Sequence, residues 1–96
     1  VGKGMTIIAR QYRNRFGEID LVAKDDEEFV MVEVKARHDA TFGYPEESVT
    51  PSKLRKIAAV AEAFMTNHPR NIWRIDVVAI EYNESPPRLT HIVGVG

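Results

Sequence analysis

Two carboxylates, Asp20 and Glu33, and one ammonium, Lys35, stand inside apolar segments where side chains ordinarily pack rather than react. They belong to the stretch GEIDLVAKDDEEFVMVEVK, Gly17 to Lys35, in which seven of nineteen residues are acidic. Acids brought close together repel one another unless a hard divalent cation lies between them. Magnesium is held in this way, by one or two carboxylates together with water and phosphate oxygens. The chemistry to look for is therefore metal-assisted attack on a phosphate ester. The plain alternative is a strand with one solvated face on which acids merely line up.

Whether the two acids meet depends on the elements that carry them. Glu18–Lys24 alternates, with Ile19, Leu21 and Ala23 on one face and Glu18, Asp20 and Val22 on the other. Phe29–Lys35 sets Val30, Val32 and Val34 against Phe29, Met31, Glu33 and Lys35. The polar turn Asp25–Glu28 makes these strands a hairpin. Its symmetric register opposes Lys24 to Phe29, Val22 to Met31, Asp20 to Glu33 and Glu18 to Lys35. Asp20 and Glu33 would then be like charges on facing positions, where Cβ atoms lie ~4.5–5.5 Å apart. A shared cation would turn that repulsion into attraction, and Lys35 would reach the same centre.

Before the hairpin, Met5–Arg10 reads as a first strand, followed by the polar connection QYRNRFG. After it, residues 36–49 form a loop containing Gly43 and Pro45. Thr50-Pro51 announces a helix, a hydroxyl cap before proline at the first helical position. Its apolar stripe is Leu54, Ile57, Ala58, Ala61, Phe64 and Met65. Ile72–Glu81 is a strong strand, and Leu89–Val95 a final one after Ser85-Pro86-Pro87. The order β-β-β-α-β-β predicts an α+β domain spanning residues 1–96, a mixed sheet with a helix packed on it.

Composition narrows the partners. The chain has no cysteine, which removes disulfides and thiolate metal sites and suits a cytoplasmic setting. No apolar run approaches a membrane span. Residues 1–17 carry four bases and no acid, residues 18–34 seven acids and one base, and residues 35–74 seven bases and four acids. An acidic centre between basic flanks suits a polyanion met through cations, and equally an ordinary mixed surface. Arg13, Arg15, Arg37, Lys53 and Lys56 are the candidate nucleic-acid contacts. Lys53 and Lys56 lie in the first two turns of the helix, where positive charge opposes the macrodipole, a placement that a shared phosphate would justify.

Asp20, then twelve residues, then Glu33-Val34-Lys35 resembles the D-x(n)-E-x-K core of the PD-(D/E)xK nuclease superfamily, which includes Holliday junction resolvases and many restriction enzymes. The blocks RQYRNRFGEIDLVA, FVMVEVKAR, FGYPEESVTPSKLRKI and WRIDVVAIE are more specific. They resemble the YraN-like family of small uncharacterised bacterial proteins, assigned to that nuclease fold, from about Ile7 to Ile80. The resemblance implies a restriction-endonuclease-like sheet and a metal-dependent endonuclease acting on DNA, branched DNA included. It implies Mg2+ or Mn2+ held by Asp20, Glu33 and the backbone carbonyl of Val34, with Lys35 assisting the attacking water and Glu18 as an additional acid. A homodimer follows by analogy with resolvases. The family usually begins with a helix bearing a further glutamate, which is expected to be absent from a chain that starts Val1-Gly2-Lys3-Gly4. Two other readings stay open: a nucleic-acid-binding domain of nuclease fold without catalysis, and a structural or protein-interaction domain.

Overall fold

A computed structural model of the chain describes residues 4–37, 49–82 and 85–95, with the side chain of Arg37 excepted. Strands β1 (Thr6–Asn14), β2 (Gly17–Asp25) and β3 (Glu28–Arg37) precede helix α1 (Pro51–Phe64), and β4 (Ile72–Glu81) and β5 (Arg88–Val95) follow it. They form a five-stranded sheet in the order β1-β2-β3-β4-β5. The expected order and mixed α+β architecture hold. β3 and β4 pair in parallel, and the other neighbours are antiparallel. Parallel neighbours need a long crossover, and α1 lies in that connection.

The helix begins as its first residues predict. Thr50 Oγ1 accepts the N–H of Lys53 at 3.1 Å, and Pro51 fills the first turn. Ile57, Val60, Ala61 and Met65 are buried against Ile19, Val22, Phe29, Met31 and Ile75 of the sheet. Val60, outside the predicted stripe, is fully buried. The turn joining β1 to β2 packs on it: a Cβ at Gly17, whose φ is 145°, would stand 3.4 Å from Val60 Cγ2. On the opposite face Ala23, Val30 and Val32 form a second cluster with Leu21, Val34 and Val78. Among the described residues, no helix is long and apolar enough to cross a membrane.

Two expectations need correction. β1 extends four residues past Arg10, so Arg13 belongs to a strand paired with Glu18 rather than to a loose connection. Ile19 does not share a face with Leu21 and Ala23, but packs under the helix with Val22. Ala9 and Tyr12, their partners on β1, are likewise three residues apart on the helix side. Both strands change face together around Gln11 and Asp20, where Gln11 has a φ of 48°. Strict alternation presumes uninterrupted β dihedrals, and one left-handed residue breaks it.

Candidate active site

The hairpin register matches the sequence prediction from Asp25↔Glu28 to Leu21↔Val32, with Val22 opposite Met31 and Lys24 opposite Phe29. There the β2–β3 ladder stops, whereas β3 stays paired with β4 as far as Arg37↔Glu81. The strands part where Asp20 and Glu33 would face each other. Asp20 bridges the parting with its side chain, Oδ2 accepting the N–H of Val34 at 2.8 Å. Beside it opens a hollow lined by Arg10, Gln11, Asp20, Leu21 and Val34.

Glu33 is buried on the helix side, its side chain only 6% exposed. Two ammonium groups converge on one of its oxygens: Lys53 Nζ lies 3.0 Å and Lys35 Nζ 3.5 Å from Oε2. The cap that starts α1 therefore also aims Lys53 at the sheet. The hydrogen bond to Glu33 raises the pKa of Lys53; burial opposes the rise, and the charges of Glu33 and Asp20 add to it. Both carboxylates thus act on one ammonium. The like-charge cost that seemed to demand a cation is met by two lysines and a backbone N–H. Lys53 accordingly sits on a carboxylate here, and Glu33, not a phosphate, answers its opposition to the macrodipole.

The remaining candidates disperse. Glu18 does not meet Lys35: its Oε2 is 3.4 Å from Arg13 Nη2 at the exposed end of the β1–β2 hairpin. Arg15 stacks over Phe16, 4.8 Å from the ring centroid. Lys56 is exposed on α1. The side chain of Arg37 lies outside the described residues. Among the described residues, no three His, Asp or Glu side chains gather at one point. The Val34 N–H meets Asp20 at Oδ2, and both lysines meet Glu33 at Oε2.

A second polar centre lies on the other face of the sheet. Asp76 is fully buried. Its Oδ1 accepts from Arg74 Nε at 2.9 Å and Gly94 N at 3.0 Å, and its Oδ2 lies 2.7 Å from His91 Nε2 and 3.3 Å from Arg74 Nη2. Arg74 continues to Glu28 at 2.8 Å and Asp25 at 3.5 Å. Burial alone would push the Asp76 carboxyl up, but Arg74, the Gly94 amide and His91 together hold it below the ordinary value. With donors on both oxygens, Asp76 ties β4 to β5. His91, exposed on β5, reaches Asp76 from the surface, while the half-buried ring of His68 has its centroid 4.6 Å from that of Phe29. An aspartate inside IWRIDVVAIE is the one sequence sign of this network.

The comparisons with known proteins agree with one another. A model of the uncharacterised protein family UPF0102 matches residues 1–80. The chain is 39% identical over 93 residues to a UPF0102 protein of Syntrophomonas wolfei, covering 95% of this chain and 81% of that one. It is 42% identical over 93 residues to one from Rhodococcus opacus strain B4, covering 93% and 78% of the two chains. A UPF0102 protein of Clostridioides difficile strain 630 is 39% identical over 93 residues, covering 97% and 82%. With the match running through both strands of the carboxylate hairpin, α1 and most of β4, the chain belongs to the uncharacterised protein family UPF0102.

Proposed function

We propose that this protein is a metal-dependent endonuclease of the PD-(D/E)xK type that hydrolyses phosphodiester bonds in DNA. The observation that supports it most is the pair Asp20 and Glu33 at the point where β2 and β3 separate, with Lys35 and Lys53 on the buried carboxylate. The mixed sheet with its crossover helix is consistent with a restriction-endonuclease-like core. Magnesium or manganese would be held by the carboxylates of Asp20 and Glu33 and the Val34 carbonyl. Such an ion supplies Lewis acidity to the phosphate and lowers the pKa of a neighbouring water.

The chain's own groups have separate tasks. Lys35 holds a positive charge beside Glu33, where it can stabilise charge growing on the phosphate oxygens. Lys53 carries a second such charge, which would be free to face the phosphate if a metal occupied Glu33. Arg13, Arg15 and Lys56 hold the nucleic-acid backbone through charge rather than base reading. A DNA substrate sets the protein in the cytoplasm. A homodimer would offer one site to each strand of a branched substrate.

The test is cleavage of supercoiled, linear and four-way-junction DNA in magnesium and in manganese, with calorimetric metal titration alongside. The expected result is metal-dependent cleavage that Asp20→Asn and Glu33→Gln abolish together with metal binding. Lys35→Ala should keep metal and DNA affinity while losing roughly a hundredfold or more in cleavage. DNA binding without cleavage would leave a binding domain. Neither metal nor DNA binding would leave the Lys53–Glu33–Lys35 cluster as a tie between helix and sheet.

A further inference from the structure

We infer that Gln11 is a substrate-contacting residue of this site, its carboxamide meeting the phosphodiester or the nucleotide beside it. The inference rests on the nuclease reading. Gln11 lies on β1 opposite Asp20, between the pairs Arg10↔Leu21 and Tyr12↔Ile19. Its φ of 48° falls in the left-handed region, where a Cβ crowds the following carbonyl and glycine does not.

Elsewhere among the described residues the chain meets positive φ with glycine, at Gly4, Gly17 and Gly94. The other exception is Asp26, in the β2–β3 turn, where aspartate is tolerated. Position 11 is a strand rather than a turn, and the kink there needs only a backbone. A glycine would make it without strain, so the glutamine standing there points to its side chain. Gln11 is exposed and lines the hollow that holds the Asp20 carboxylate. The charged neighbours in that hollow are Arg10 and Asp20, and on the nuclease reading a phosphate entering it would be met by Arg10. A carboxamide is uncharged and offers two N–H donors and one acceptor, which lets it orient a phosphate oxygen or a base edge without competing for metal. Local strain kept at a site for the sake of a side chain is a recurrent feature of binding centres.

The test uses the full chain with Gln11→Gly, Gln11→Asn and Gln11→Ala. Each is read by thermal melting, by affinity for a fluorescein-labelled DNA duplex with calcium in place of magnesium, and by cleavage in magnesium. Gln11→Gly should melt roughly 2–6 °C higher, because the strain is gone, yet lose about tenfold or more in DNA affinity. Gln11→Asn, which accepts positive φ and keeps the amide, should stay within about threefold of the parent. Gln11→Ala should lose affinity like glycine without the gain in melting temperature. A glycine variant that binds and cleaves like the parent would remove Gln11 from the site while leaving the nuclease reading intact. One that melts no higher would also overturn the inference, since no strain would then be stored. A parent that neither binds nor cleaves DNA would fell the nuclease reading itself, and Gln11 with it.

Discussion

Lys53→Met should raise the affinity for manganese. In the structure Lys53 Nζ stands 3.0 Å from Glu33 Oε2, so an ion arriving at Glu33 must compete with an ammonium already there. At that separation the pair attraction is about 1.4 kcal/mol in a medium like bulk water and about 5.5 kcal/mol at an effective dielectric of 20. Because the Lys53 side chain is 44% exposed, the water value is the safer floor. A floor of about 1.4 kcal/mol corresponds to a tenfold gain in apparent affinity. The repulsion between ammonium and divalent ion disappears as well, which adds in the same direction. Methionine keeps most of the aliphatic length, and the Thr50 cap uses the backbone N–H of residue 53, so α1 should start as before. Lys35 remains on Glu33, so the stability cost by urea unfolding should stay near the same floor, about 1.4 kcal/mol. Isothermal calorimetry with manganese reads the affinity directly, with Glu33→Gln as the non-binding control. An unchanged or weaker affinity in Lys53→Met would show that Glu33 is not where the metal goes.

Asp76→Asn should cost roughly 2–4 kcal/mol by urea unfolding, since it strips the charge partner from Arg74 inside the sheet. The folded pKa of Asp76 is depressed, so its stabilising effect is complete above the ordinary carboxyl value near 3.9 and fades as pH falls towards the depressed one. The stability gap between parent and Asp76→Asn should therefore be flat above pH ~5 and shrink below pH ~4; a gap independent of pH would refute the assignment. DNA affinity should fall steeply with salt, and Arg15→Ala and Lys56→Ala should each flatten that dependence by about one unit of slope. Variants with the parent's slope would show these cations facing away from the ligand.

Much of this molecule is local and therefore legible in the chain alone. Thr50-Pro51 starts α1 because its cap is made within three residues, by a hydroxyl and the Lys53 N–H. The hairpin register followed from a short turn, which leaves two alternating strands little freedom to slide. The same register brings Asp20 and Glu33 to the same end of one strand pair. What escaped was whatever depends on residues distant in sequence or on a break in a period. Lys53 reaches Glu33 from twenty positions away, which requires α1 to lie across the sheet at one particular offset. Asp76 gathers Arg74, His91 and Gly94 only after β5 folds back on β4, and a bulge there brings the Gly94 amide to it. The shared face change at Gln11 and Asp20 was hidden because period-two reasoning has no term for a left-handed residue. Composition and alternation determined the elements and the neighbouring acids. Tertiary structure alone decided which charges answer those acids, because ion pairs depend on distances of a few ångströms that only the packed sheet and helix set.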